Sequence, residues 1–201
     1  MGYIGIVDYG AGNLMSVSNS LTFLGYESKI ITTSREMEDA SKIILPGVGA
    51  FPDAMEALEQ SGLMDSLLKN ALKKPFLGIC LGMQMLFSES DEIRVCKGLG
   101  LLPGRIERIP TPLKLPQIGW NALEIQRRNA MLSGIKDGDY VYFVHSFMAV
   151  PQERSDLAAV CDYGAKVPAM VARDQIFGCQ FHPEKSGEVG LAMLKNFADL
   201  T

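Results

Sequence analysis

Phe76-Leu77-Gly78-Ile79-Cys80-Leu81-Gly82-Met83-Gln84 is the stretch that decides how this chain is read. An apolar strand runs into Cys80, and a helix-forming segment leaves it. Gly78 and Gly82 lie two residues to either side. A sharp strand-to-helix turn of this kind lifts one side chain out of a buried sheet and into an open site, as in a nucleophile elbow. The glycines remove side chains that would crowd the turn or block a substrate. A helix N-terminus offers unpaired N–H groups and partial positive charge, and both favour a thiolate. Free cysteines also serve as small core residues, so a base elsewhere in the chain is what separates the two readings.

Outward from this turn, toward the N-terminus, strand and helix alternate. Tyr3 to Asp8, Glu27 to Thr32, Lys42 to Leu45 and Pro75 to Ile79 read as short apolar strands. Ser16 to Leu24, Asp53 to Gln60 and Gly62 to Leu72 read as helices, the last with Leu63, Leu67, Leu68 and Leu72 at helical spacing. The alternation predicts an α/β fold with a mostly parallel central sheet flanked by helices. Sites in such sheets lie beyond the carboxyl ends of the strands. The Gly10–Asn13 loop, the Pro46–Gly49 loop and Cys80 all fall at such ends. From Gly104 to Phe181 the segments are short and turn-rich, with Pro103, Pro110, Pro112 and Pro116 as punctuation, which predicts antiparallel strand additions on one side of the sheet. Helix resumes over Gly187 to Ala198. The length of 201 residues suits one domain over residues 1–201.

The chain has two histidines, His145 and His182. His182 opens His182-Pro183-Glu184 directly after the strand-like Ile176 to Phe181. A strand end is a good place to present a base, and Glu184 is near enough to orient the imidazole and stabilise its charged form. Pro183 fixes the backbone between them. Nucleophile, base and orienting group form a recognisable constellation, whatever their separation along the chain.

Gly78-x-Cys80-x-Gly82 followed by Gln84, with the distant His182-Pro183-Glu184, resembles the class I (triad) glutamine amidotransferases, and the likeness covers nearly the whole chain. Asp8-Tyr9-Gly10-Ala11-Gly12-Asn13, Pro46-Gly47-Val48-Gly49-Ala50-Phe51, Ile118-Gly119-Trp120-Asn121, Tyr142-Phe143-Val144-His145-Ser146 and Lys185-Ser186 narrow it. Together they are similar to family members that act as glutaminase subunits in histidine biosynthesis. The resemblance implies that Cys80 attacks the side-chain amide of glutamine and forms a thioester. It makes His182 the general base and Glu184 its holder. It makes the backbone N–H groups of Gly47, Val48, Gly49 and Leu81 the oxyanion donors, where small residues let the main chain approach. Gln84, His145 and Ser146 would bind substrate. The implied partner is a barrel-shaped cyclase (synthase) subunit, paired one to one, with Trp120, Asn121 and Lys185 at the docking face. No cofactor is implied. Without the partner, glutamine hydrolysis would be wasteful, so the isolated site is expected to be poorly active. A peptide flip in Pro46–Gly49 is a plausible switch, since glycines tolerate both states.

Two positions depart from the family pattern: Phe147 stands where tyrosine is frequent, and Gln117 where histidine is. The first removes a hydroxyl, and the second removes an imidazole from any interface contact that relied on one. The alternatives are a triad amidotransferase of another pathway, such as anthranilate, guanylate or pyridoxal phosphate synthesis, and a non-catalytic regulatory subunit of the same fold. The intact Cys80, His182 and Glu184 speak against the latter.

Composition is consistent with this reading. The formal net charge is −4, with no strong basic run, so nucleic-acid binding is poorly supported. Arg127-Arg128 reads as a solvated pair on a turn. Cys96, Cys161 and Cys179 are scattered and form no Cys-x-x-Cys pair, which argues for free structural thiols and against a metal site. Gly10-Ala11-Gly12 lacks the third glycine of a dinucleotide fingerprint, since Met15 takes that place. The apolar share of 47% supports a sizeable core, yet no apolar run is long enough to span a bilayer. No signal peptide is evident, and the expected location is cytoplasmic.

Overall fold

The computed structural model describes residues 2–10 and 12–201. Ala11, within the Asp8–Asn13 segment singled out above, and Met1 lie outside the described residues. The first half runs β1 (Ile4–Val7), α1 (Leu14–Phe23), β2 (Ser28–Ile31), α2 (Ser34–Asp39), β3 (Lys42–Gly47), α3 (Phe51–Gln60), α4 (Met64–Ala71) and β4 (Phe76–Cys80). Then come α5 (Leu81–Gln84), β5 (Phe87–Ser90), β6 (Cys96–Lys97), β7 (Leu102–Arg108), β8 (Gln117–Ala122) and β9 (Glu124–Ile125). The chain ends with β10 (Tyr140–His145), β11 (Phe147–Pro151), β12 (Leu157–Asp162), β13 (Lys166–Arg173), β14 (Ile176–Cys179) and α6 (Gly187–Ala198).

One sheet of eight strands, ordered β2-β1-β3-β4-β14-β13-β12-β9, organises the molecule. Its first five strands are parallel to their neighbours, and the pairings from β14 onward are antiparallel. The parallel strands read as continuous apolar runs because both faces are covered. Ile4, Ile6, Leu77 and Ile79 point into the core shared with α1 and α6, while Val7, Ile43, Leu45 and Phe76 point into the one shared with α2, α3 and α4. Residues Val17 and Leu21 give α1 its buried stripe, and Met193, Leu194 and Phe197 give α6 its own. The expected α/β class and antiparallel additions are therefore present.

Four features differ from the sequence expectations. Helix α2 was not foreseen, although its signal is readable: Thr33 and Glu36 form a capping box at its start. The helix that leaves Cys80 is a single turn, because the chain turns back at Met85 to Leu86 to begin β5. The second half does more than extend the main sheet. It also builds an antiparallel ribbon of β8 and β10 and a small sheet ordered β11-β7-β5-β6. Arg127 and Arg128 are not simply solvated. Arg127 donates to the Ala172 carbonyl, and Arg128 to those of Ile135 and Leu132, so the pair ties loop backbone down.

Candidate active site

The parallel register brings the carboxyl ends of β1, β3, β4 and β14 to one rim. Gly47 lies opposite Cys80 across β3 and β4, and Cys179 opposite Ile79 across β14 and β4. Cys80 sits at φ 55° and ψ −112°. A side-chain-bearing residue rarely adopts this backbone, and holding it costs about 1–3 kcal/mol that the surrounding packing must offset. The elbow is crowded around its glycines. A Cβ on Gly82 would stand 1.8 Å from the Leu45 carbonyl oxygen, and one on Gly78 would stand 2.6 Å from that of Gly82. Alanine at Gly82 therefore cannot be accommodated without moving β3 away from the turn.

A cavity of about 240 Å³ opens beside the thiol. Val48, Gly49 and Leu81 line it on the elbow side, and Gln84, His145, Ser146, Phe147 and His182 line the opposite walls. Gly47, Leu81 and Gln84 are themselves buried. Of the residues expected to supply oxyanion donors and to bind substrate, all but Gly47 line this one space with Cys80. Gly49 holds φ +102°, a left-handed conformation that suits glycine and lets the backbone turn sharply against the cavity.

His182 and Glu184 are buried together on the turn after β14. His182 Nδ1 donates to Glu184 Oε1 at 2.7 Å. Burial works against a charged imidazole there, but the neighbouring Cys80 thiol and the hydrogen-bonded Glu184 carboxylate, with the negative charge on both, outweigh it and raise the His182 pKa to about 9. Nε2 is buried and has no hydrogen-bond partner among the described residues, which leaves it free for the thiol and for substrate. His145 is different. Its Nδ1 lies 2.7 Å from the Phe147 carbonyl oxygen and so carries the proton. Burial, with a smaller contribution from the charge on His182, lowers its pKa to about 4 against that hydrogen bond. One cavity therefore holds a charged imidazole and a neutral one.

Several residues at the site carried no role in the sequence reading. Asn13, in the left-handed conformation at φ 76°, precedes α1 without capping it. Its Nδ2 donates instead to Glu184 Oε1. The Tyr9 hydroxyl donates to the Pro46 carbonyl at 3.1 Å, and burial together with the nearby Cys80 charge keeps it protonated. Glu92 comes from the loop after β5. Its carboxylate accepts the Phe51 N–H at 2.8 Å and reaches the cavity wall, where burial raises its pKa. Gln180 lies beneath the thiol, with Nε2 at 3.9 Å from Cys80 Sγ. The Asp8–Asn13 motif pointed toward Tyr9 and Asn13. No local pattern marks Glu92.

The expected docking residues separate. Trp120 is 51% exposed and packs edge-on against Tyr142, with Ile118 and Tyr140 exposed on the same face of the β8–β10 ribbon. Lys185 is exposed beside it, and Trp120 approaches the Gly187 turn. Asn121 faces the other way: alternation along β8 turns it away from Trp120. Its Oδ1 accepts from Gln117 Nε2 at 2.9 Å, and its Nδ2 donates to the Asp162 carbonyl at 3.1 Å. Gln117 is fully buried beneath the ribbon and also contacts Cys161, so its departure from the family pattern falls in the interior. Cys161 and Cys179 are buried free thiols that burial keeps protonated. No helix among the described residues is long and apolar enough to cross a membrane.

Comparison with known proteins identifies the family and the fold. The family profile described as glutamine amidotransferase class-I matches residues 5–200. The chain is 48% identical over 198 residues to the imidazole glycerol phosphate synthase subunit HisH of Caldanaerobacter subterraneus subsp. tengcongensis, covering 98% of each chain. It is 51% identical over 195 residues to the subunit of the same name from Desulfitobacterium hafniense, covering 96% of this chain and 92% of that one. A solved structure of PurLQS from Thermotoga maritima superposes with a TM-score of 0.77 at 19% identity, covering 99% of both chains, and attests to the shared fold.

Proposed function

The chain belongs to the class-I glutamine amidotransferase family, and from that premise we propose that it is the glutaminase subunit of an imidazole glycerol phosphate synthase, hydrolysing glutamine and passing ammonia on within histidine biosynthesis. End-to-end identity of about half to subunits of that name is the observation that carries this reading.

The chemistry follows from the charge arrangement. With His182 protonated and Cys80 as the thiolate, the sulfur attacks the side-chain amide carbon of glutamine. The C–N bond breaks, ammonia takes the proton from His182, and a thioester remains. Neutral His182 then takes a proton from water, which attacks the thioester, and the thiolate leaves. Glu184 favours the imidazolium and holds its Nδ1, so Nε2 points at the reacting atoms. Negative charge on the tetrahedral oxygen is met by backbone N–H groups of the Gly47–Gly49 segment and Leu81. One such donor typically supplies about 3 kcal/mol. A peptide flip at Gly49 is the step by which a partner switches that donation. Glu92, a carboxylate on the cavity wall, suits the α-ammonium of the substrate, and Gln84 with the backbone of Ser146 and Phe147 suits its polar atoms.

The partner is a cyclase subunit that consumes the ammonia, and the two form a one-to-one complex in the cytoplasm. The exposed apolar face of Ile118, Trp120 and Tyr140, with Lys185 beside it, reaches the cavity where ammonia is released at its Ile118 end, since Ile118 pairs with the cavity-lining Val144. Residues 1–201 act as a single catalytic domain. The test is a glutaminase assay on the chain with and without a cyclase subunit. Hydrolysis stimulated by the cyclase and abolished in C80A is expected. Hydrolysis that persists in C80A would sink the mechanism.

A further inference from the structure

Gln180 is fully buried directly after β14. The β14–β4 register ends with Cys179 opposite Ile79, so one residue further along Gln180 stands beside Cys80. On the other side of Cys80 the register partner is Gly47, which has no side chain. The lateral neighbours of the nucleophile are thus a bare backbone and one glutamine amide.

The orientation of that amide is fixed by a chain of partners. The Phe147 carbonyl can only accept, so the Gln84 group 3.1 Å from it is the Nε2 donor. The second N–H of the same nitrogen meets Gln180 at 3.0 Å, so the Gln180 atom there is Oε1. This leaves Gln180 Nε2 facing Cys80 Sγ at 3.9 Å. The main chain of Gln180 is anchored by its N–H to the Ala169 carbonyl at 2.9 Å. The sulfur also lies 3.9 Å from the Val144 carbonyl oxygen. That oxygen can accept from a thiol but repels a thiolate, so the anion depends on donors from other directions.

We propose that Gln180 is a further catalytic residue: its side-chain amide donates to the Cys80 sulfur and stabilises the thiolate that attacks glutamine and later leaves the thioester. A thioester sulfur is a poor acceptor, so the bond is strong only when the sulfur carries charge. The amide therefore favours both the resting nucleophile and the leaving group of the hydrolysis step. The inference rests on the glutaminase reading given above. The titratable groups facing the sulfur are His182 with Glu184 behind it, Tyr9 after β1, His145 at the end of β10, and Glu92 across the cavity. Gln180 is neutral, so its removal subtracts a hydrogen bond and no charge.

The experiment is iodoacetamide alkylation of the full-length chain as a function of pH, with Cys80 followed by peptide mass spectrometry. In Q180M, which keeps the length and loses the donor, the midpoint of the Cys80 profile is expected to rise by about one pH unit, as loss of one hydrogen bond to a charged group implies. With a cyclase subunit present, kcat for glutamine hydrolysis is expected to fall roughly tenfold with KM within about twofold. A profile that coincides with that of the unsubstituted chain would overturn the proposal. Should Q180M fold poorly, the unsubstituted chain still decides the matter. Its Gln180 side-chain amide resonances should shift through the Cys80 midpoint and stay still in C80A, and amide signals that ignore the thiol would overturn the assignment. Absence of any glutamine hydrolysis by the unsubstituted complex would count against the glutaminase reading instead, and the alkylation profiles would still test Gln180.

Discussion

The ends of β10 and β14 each deliver a histidine to the same cavity, and the two imidazoles are driven in opposite directions. At the end of β14, His182 meets a buried carboxylate on one nitrogen and a thiol near the other, and its pKa rises to about 9. At the end of β10, His145 meets a backbone carbonyl, and burial lowers its pKa to about 4. Burial opposes charge at both positions. What separates them is whether an anion stands within hydrogen-bond reach. One fold thereby obtains a proton donor for ammonia and a neutral wall for the substrate from the same residue type.

The largest test of that contrast is catalytic. In the complex, H182N should lower kcat on the order of a thousandfold through loss of the proton carrier, while H145N should cost tenfold or less. Equal losses, read from steady-state glutaminase kinetics, would erase the distinction. Stability against pH is next, and the two histidines carry opposite signs. The folded pKa of His145 lies below its unfolded value of about 6.5. Its contribution is therefore full above that pH and shrinks by about 3 kcal/mol as pH falls to about 4. Urea melts between pH 7 and 4 should show a shallower acid loss in H145N. His182 is raised, so its contribution is full below about pH 6.5 and is lost as pH rises through about 9. That alkaline loss should shrink in C80A, which removes one of the groups holding the proton; an unchanged alkaline limb would count against the pairing.

Smaller substitutions sharpen the comparison. E184Q gives His182 a neutral neighbour and so makes its surroundings more like those of His145. It should lower kcat about a hundredfold and move the alkaline fall of kcat/KM to lower pH. A pH profile that does not move would show that the carboxylate contributes nothing to the charge on His182. E92Q is the mildest: KM for glutamine should rise several-fold with kcat nearly unchanged, as expected when ground-state and transition-state binding weaken together. A change confined to kcat would remove Glu92 from substrate binding.

Much of the site was legible in the chain because the catalytic groups come with local punctuation. Gly78 and Gly82 flank Cys80, and Pro183 joins His182 to Glu184, each a backbone requirement written into residue type. Gln180 and Glu92 were not legible. A glutamine after a strand or a glutamate in a loop looks the same whether it faces solvent or a thiol, and only the β14–β4 register and the course of the loop after β5 give them positions. The direction of the Asn121 side chain was not legible for a related reason. Gly-Trp-Asn is contiguous in sequence, but side chains alternate across a strand, and Asn121 turns inward to Gln117 and Asp162 while Trp120 stays outside.

By itself the sequence determined the alternating strand and helix order, the elbow at Cys80 and the pairing of a base with its carboxylate. These rest on hydrophobic period and on glycine and proline, which act over a few residues. Only the tertiary structure decided which of two identical imidazoles is charged, and which amide stands beside the sulfur. Both depend on burial and on atoms brought within about 3–4 Å from distant parts of the chain, where electrostatic and hydrogen-bond energies change steeply with distance.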